Sequence, residues 1–411
     1  MGKIKTNVTA LKKAIEMTEI VLTDNMMSDA VRNLIFYIKD NKIHIIGRSS
    51  VTCCLVEVEG ETDRADDSFE SVNLKELQGI LKAYNNMKRT IPTTIEFEFK
   101  ENYIEVSVSE VPANDKFKCS EYYNRTTKSR ISLPPRVSEA VMKEVREVWG
   151  MDMDGEVDGK IDGVKMKDIV GSLLSTLKDG RDSIHTRIYF KDGKAYSFPA
   201  GFLMLMPNTL PIKEVVIPVP SAKFIVKYAT DRKEEITVKT ITSAEKPEEA
   251  YSVKMCFRKG NSKAVTRVHP TNQAYRLTDG DTINPAELKK RDCVVVDKPY
   301  FMDCLLRLPD ETVQIVVGEN QDMVLKGKRN SIQIPVLDRR ITGAETYSYE
   351  ITVALLKSMI NEQFGENLYI YLMKNGLVSF TDELMVEESG TGVREHVWVS
   401  SARLKPSPNV R

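Results

Sequence analysis

The sequence predicts an α+β fold in which a helix followed by antiparallel strands recurs six times, paired into three domains of two helices packed on sheets. Three observations carry this. Amphipathic helical stretches return at half-repeats of roughly 60–70 residues, longer than solenoid periods. Each precedes alternating strand segments, three of which turn at Asp40-Asn41, Asp192-Gly193 and Asn375-Gly376. The 411 residues accommodate two to four domains at roughly 100–200 residues each. The boundaries fall at residues 1–130, 131–275 and 276–411.

The first domain opens with the helix TALKKAIEMTEIVL, then the strands LIFYIKDNKIHIIG and SVTCCLVEVEG. Its second helix lies in VNLKELQGILKAYNN. Leu74, Leu77, Ile80, Leu81 and Tyr84 share one face, and Lys75, Gln78, Lys82 and Asn85 the other. Asn73, with Glu76 three residues on, predicts a capped start. TIEFEFKENYIEVSVSEV reads as a hairpin turning at Lys100–Asn102.

In the second domain VKMKDIVGSLLSTL is a helix with Met166, Ile169, Val170, Leu173 and Leu177 inward. IHTRIYFKDGKAYSF, FLMLM and EVVIPV continue as strands. PSAKFIVKYATD is a short helix capped by Ser221, before EEITVKTIT and AYSVKMCFRKGNSKAVTRV. The third domain runs from CVVV into DKPYFMDCLLRL, with Pro299 in the first turn, where its missing N–H costs nothing. TVQIVVGENQDMVLKG and SIQIPVL are strands, and TVALLKSMINEQF a helix with Val353, Leu356, Met359 and Ile360 inward. NLYIYLMKNGLVSFTDEL and HVWVSSARL close the pattern.

Two segments stand outside the repeat. SRISLPPRVSEAVMKEVREVWG, from Ser129, reads as a linker with a short helix. Met151–Gly163 is acidic and glycine-rich. Asp152, Asp154 and Asp158 invite a calcium reading, but the glycine and glutamate positions of an EF-hand loop do not fit, and a solvated, dispensable turn is the expectation.

Charge and motifs narrow the function. The 59 basic and 59 acidic residues cancel, which still allows one basic face balanced by acidic ones. No apolar run is long enough to span a membrane, and no signal peptide is expected. Gly2 and Thr6 match the myristoylation spacing without other support. The six cysteines, Cys53, Cys54, Cys119, Cys256, Cys293 and Cys304, lack CxxC spacing and read as reduced thiols of a cytoplasmic protein. Phosphate-cradling loops and nucleophile or zinc signatures are missing, and His44, His185, His269 and His396 are scattered along strands. No catalytic residue, metal ligand or cofactor is therefore assigned, and a binding protein is favoured over an enzyme.

The helices supply the binding chemistry. Their polar sides carry Lys12 and Lys13; Lys75, Lys82, Lys88 and Arg89; Lys165, Lys167, Lys178 and Arg181; Lys223, Lys227 and Arg232; Lys298 and Arg307; and Lys357. Singly, each is an ordinary solvated helix face. Laid side by side on one face of the sheets, they would form a shared basic surface suited to phosphates irrespective of base sequence. No aromatics interleave, so duplex backbone is favoured over single strands.

In this order of elements the chain resembles the DNA sliding clamps of the three-domain bacterial type, the β subunit of DNA polymerase III. The resemblance rests on IKTNVTALKKAIEMTEIVL with FYIKDNKIHIIGRSSVTCCLVEVEG, on SFESVNLKELQGILKAYNN with IEFEFKENYIEVSV, and on the closing HVWVSSARL. It departs in the added length at Ser129–Gly163, the zero net charge and the tail LKPSPNVR, which fit a divergent, phage-encoded member. The resemblance implies a homodimeric closed ring around double-stranded DNA. Sheets lie outside, helices line the hole, and edge strands of the first and third domains pair at each junction. It implies a processivity factor that tethers a replicative DNA polymerase and is placed by a clamp loader. It further implies a partner-peptide cleft at Phe202, Leu203, Met204, Pro270, Trp398 and Val399, although Phe202–Met204 read equally well as a core strand. Two alternatives stay open: a structural or decoy binding protein on the same repeat, and a metal-dependent enzyme using Asp152–Asp162.

Overall fold

The computed structural model describes every residue except 1, 23–32, 85–89, 114–124, 178–181, 200–201, 230–232, 243–252, 271–287, 289–290, 319–321, 342–345, 361–364, 374–375, 383–398 and 407–411. The chain divides into two compact units. One comprises Met1–Val164, Phe224–Ile241 and Lys254–Arg267; the other comprises Lys165–Lys223, Thr242–Val253 and Val268–Arg411.

A single local unit, strand–helix–strand–strand–strand, builds both. The first copy is β1 (Gly2–Asn7), α1 (Val8–Leu22), β2 (Asn33–Lys39), β3 (Lys42–Arg48) and β4 (Thr52–Val58). After the short β5 (Gly60–Thr62) comes the second: β6 (Ser68–Asn73), α2 (Leu74–Ala83), β7 (Thr90–Phe99), β8 (Tyr103–Pro112) and β9 (Arg125–Ser132). An extra helix, α3 (Glu139–Trp149), follows. The third copy is β10 (Gly159–Asp162), α4 (Gly163–Ser175), β11 (Arg187–Lys191), β12 (Lys194–Ser197) and β13 (Leu203–Pro207). The fourth is β14 (Val215–Pro218), α5 (Val219–Tyr228), β15 (Glu235–Thr242), β16 (Val253–Lys259) and β17 (Ser262–Val268). The fifth is β18 (Asp292–Asp297), α6 (Lys298–Arg307), β19 (Thr312–Val317), β20 (Met323–Lys326) and β21 (Ser331–Ile334). After β22 (Asp338–Arg340) the sixth is β23 (Tyr347–Thr352), α7 (Val353–Met359), β24 (Asn367–Leu372), β25 (Leu377–Thr381) and β26 (Val399–Arg403), with β27 (Lys405–Pro406) last.

The leading strand of each copy ends in a residue that starts the helix. Asn7, Asn73, Asp162, Asp297 and Thr352 accept backbone N–H groups of the first turn through their side-chain oxygens, at 2.7–3.2 Å. These bonds satisfy donors that no helical carbonyl can reach. The fourth copy enters its helix through Pro218 and Pro220 instead, and Ser221, expected as its cap, is fully buried inside the helix. Asn73 caps as expected, but Glu76 does not reach back: it accepts from the Ser132 N–H at 2.8 Å, tying α2 to β9.

Copies pair by exchanging leading strands. β1 joins β7 and β6 joins β2; β10 joins β15 and β14 joins β11; β18 joins β24 and β23 joins β19. Each pair of copies thus forms two sheets with helices against them. Successive pairs also share a sheet through their last strands, β4 with β17 and β13 with β26, both antiparallel. The sheets run β5-β1-β7-β8-β9, β10-β15-β16-β17-β4-β3-β2-β6, β14-β11-β12-β13-β26-β25-β24-β18-β22 and β21-β20-β19-β23-β27. Among the described residues, two of the six last strands, β9 and β21, stand at sheet edges.

The turns at Asp40-Asn41 and Asp192-Gly193 carry positive φ at both positions, from 50° to 69°, as tight hairpins require. α1 rests directly on Gly47 of β3: a Cβ there would lie 2.4 Å from the Thr18 carbonyl oxygen.

The two segments outside the repeat correct the sequence reading. Ser129–Ser132 is the end of β9, not linker. Met151–Gly163 is only in part the solvated turn expected: Asp152, Asp154, Gly155 and Glu156 are exposed, but other residues of the segment are built into the fold. Met153 is 2% exposed, within a cluster of Tyr37, Leu55, Val145 and Val265, and Gly159–Asp162 pairs with β15.

Candidate nucleic-acid interface and partner cleft

Helix packing decides which basic side chains reach solvent. On α2, Leu74, Leu77 and Leu81 are buried, which turns Lys75 and Lys82 outward. On α4, burial of Met166, Ile169, Val170 and Leu173 leaves Lys165 exposed and Lys167 half-buried. On α5, Lys223 and Lys227 are exposed one turn apart, opposite the buried Phe224, Ile225 and Tyr228. On α6, Phe301, Cys304 and Leu305 point inward, Arg307 outward, and Lys298 is half-buried. α7 holds Lys357 half-buried. On α1, Lys13 is exposed and Lys12 half-buried. Lys88, Arg89, Lys178, Arg181 and Arg232 lie outside the described residues.

These cations are not equivalent. Lys12, Lys167, Lys223, Lys227 and Lys298 already interact with other groups of the chain. Lys13, Lys75 and Lys165 are in no ion pair among the described residues. The far half of α1 adds charges that the lysine pattern overlooks. Burial and the neighbouring Glu16 raise the Glu19 carboxyl, and Lys82 opposes both. Lys82 therefore has an acidic neighbour that tempers its field. Exposed Tyr300 and Leu306 on α6 likewise make that helix face less basic than its ends suggest.

Phe202, Leu203 and Met204 are all buried, at 4%, 4% and 0% exposed, and Pro270 is buried. Leu203 packs with Tyr189, Tyr196, Leu205 and Val216. Backbone pairing sets Leu203 against Ser401, Met204 against Ser400 and Leu205 against Val399. These positions form a sheet floor where the third copy meets the sixth. Trp398 lies outside the described residues.

The carboxylates that invite a metal reading are engaged in the fold. Asp152 accepts from the Asp154 and Gly155 N–H groups, both at 2.9 Å, and these bonds hold its carboxyl below the usual carboxylate range. Asp154 pairs with Arg258, Asp158 accepts from the Thr240 N–H at 2.7 Å, and Asp162 caps α4. Among the described residues no group of three or more His, Cys, Asp or Glu is placed to hold a metal ion. No described helix is long and apolar enough to cross a membrane.

Six copies of one unit, paired by strand exchange and joined through last strands, define the class of fold: that of the bacterial DNA polymerase III β clamps. No family model matches this sequence, and no curated protein matches it. Solved structures do. The β chain of Streptococcus pneumoniae matches with a TM-score of 0.68 at 11% identity, over 99% of this chain and 100% of that one. The β subunit of Borrelia burgdorferi, solved with a natural product, matches with a TM-score of 0.67 at 12% identity over 98% of each chain. The β subunit of Pseudomonas aeruginosa matches with a TM-score of 0.66 at 12% identity, over 98% of this chain and 100% of that one.

Proposed function

We propose that the chain is a DNA sliding clamp: a ring that encircles duplex DNA and tethers a replicative polymerase without itself catalysing a reaction. The observation that carries this reading is the pairing rule of the last strands. β4 of the first copy pairs with β17 of the fourth, and β13 of the third pairs with β26 of the sixth. Applied once more, the rule pairs β21 of the fifth copy with the second copy's β9 in another chain. Two chains then satisfy each other's edges and close a twelve-copy ring by C2 rotation. The edges are built for it. β9 is mostly exposed, Leu133 immediately after it is 45% exposed, and Ser331 and Gln333 of β21 are exposed. The full-length likeness to β-clamp structures supports the same reading.

In such a ring the outward lysines supply many weak phosphate interactions, so the ring slides without reading bases. Lys13, Lys75 and Lys165 are the strongest candidates, with Lys82, Lys223, Lys227 and Arg307 beside them. Partner segments of the polymerase and of a clamp loader would dock over the β13–β26 junction. There Phe202–Met204 and Pro270 would form the floor beside the strand that Val399 begins, and Trp398 is the remaining candidate. A cytoplasmic location and a phage source belong to the same proposal. The test is retention on nicked circular DNA together with mass in solution. A structural or decoy protein would form no DNA-retaining ring. A metal-dependent enzyme would bind a divalent cation by calorimetry, which the engaged aspartates argue against.

A further inference from the structure

We infer that α3 is a clip that keeps the β4–β17 junction shut, so that any opening of the chain to admit DNA happens elsewhere. The functional half of this inference rests on the clamp reading; the structural half does not. α3 is the one described α-helix that no repeat accounts for. It covers the sheet face on which Cys53 and Leu55 of β4 lie, opposite to Cys54 and Val56, since alternate strand residues face opposite ways. Val145 and Val148 of α3 and Met153 close a cluster drawn from both sides of the seam. Tyr37, Ile46, Cys53 and Leu55 come from the first copy, Cys256 and Val265 from the fourth.

Polar interactions repeat that two-sided grip. On the β4 side, Glu144 pairs with Arg48 of the first copy at 2.6 Å, and Arg146 pairs at 3.0 Å with Asp67, which precedes β6. Toward the fourth copy, Glu147 pairs with Lys254 at 3.3 Å. The Lys263 ammonium donates to the Trp149 and Met151 carbonyls at 3.1 and 3.2 Å. These are carbonyls that the end of a helix leaves without partners, where a cation is also favoured. Among the described residues, the buried cluster beside the β13–β26 junction, Tyr189, Tyr196, Leu203, Leu205 and Val216, contains no helix residue.

Hydrogen–deuterium exchange on the full chain tests the structural half. Amides of residues 52–56 and 262–266 should exchange at least about tenfold slower than those of 203–205 and 399–401. In V145S/V148S the first set should speed up about tenfold, the change that about 1.4 kcal/mol of weakened packing produces, while the β2–β3 hairpin stays protected. If that variant does not fold, E144A/E147A is read in its place, with a smaller shift in the same direction. Equal exchange at the two seams, or acceleration spread over the whole unit, overturns the clip. A disulfide tests the functional half. The Thr52 and Thr266 hydroxyls are 2.8 Å apart across the seam, so T52C/T266C can be locked by oxidation. The locked chain should be loaded onto nicked circles as well as the reduced one. Loading that fails on oxidation and returns on reduction overturns the clip, whereas no retention in either state overturns the clamp reading.

Discussion

Met153→Ala probes the segment whose role the sequence hides most completely. Met153 is 2% exposed and packs against residues of three elements: Tyr37 of β2, Leu55 of β4 and Val145 of α3. Truncation removes its side chain from a site bounded by strands on one side and a helix on the other. Neither can collapse inward without breaking ladder or helix bonds. The loss should be about 2–4 kcal/mol, the transfer and cavity costs combined. Against a stability of about 5–15 kcal/mol for ordinary domains, that is a large fraction. Urea titration followed by fluorescence and circular dichroism should show a lower midpoint with an unchanged slope. Glu156→Gln, at an exposed position of the same segment, should shift it by less than about 0.5 kcal/mol. Equal midpoints for the two variants would refute the placement of Met153 in the core. Deleting residues 151–163 should abolish soluble expression, because it also removes β10 and the Asp162 cap.

Burial holds the His44 imidazole below its ordinary value of 6.5. The folded chain therefore resists a proton that the unfolded chain accepts, and stability should fall as pH drops below about 6.5. His44→Gln should flatten that limb of a urea-midpoint profile, and parallel profiles would contradict it. Asn73→Ala and Thr352→Ala should each cost about 1 kcal/mol in the same assay. Reversing charge at Lys75, Lys82, Lys167 and Lys227 together should shorten retention on circular DNA. It should also reduce the salt slope by roughly 0.9 for each phosphate that is no longer neutralised, with thermal stability little changed; Lys82 alone should contribute least because Glu19 is its neighbour. Ser331→Lys with Gln333→Lys sets lysines on β21 against the Arg125, Lys128 and Arg130 of β9, and should shift sedimentation toward single chains.

Local chemistry made much of the fold legible. Leu74, Leu77 and Leu81 repeat at helical spacing, and the structure buries all three; the turn residues Asp40-Asn41 and Asp192-Gly193 both adopt the left-handed backbone their types favour. What escaped was non-local. β1 is short and half polar, and only its pairing with β5 and β7 makes it a strand. Gly159–Asp162 looks like acidic loop until β15 is beside it. The exchange of leading strands leaves no trace in periodicity, because residues far apart in sequence satisfy each other's hydrogen bonds. The helix cap is legible at Asn73 but not at Asn7, Asp162, Asp297 or Thr352, since each is a common polar residue until the strand-to-helix junction is seen to recur. For the candidate site, spacing located the outward lysines but not Glu19, whose position near Lys82 of α2 depends on how α1 packs. The burial of Phe202–Met204 was one of two readings left open, because an apolar run reads alike as sheet core and as cleft floor.

Sedimentation equilibrium combined with release from nicked circles before and after linearisation tests the ring most directly. A clamp closed through β9 and β21 predicts twice the 46.6 kDa chain mass, slow release from circles and rapid release once the DNA is cut. A single-chain mass, or equal release from circular and linear DNA, would contradict it.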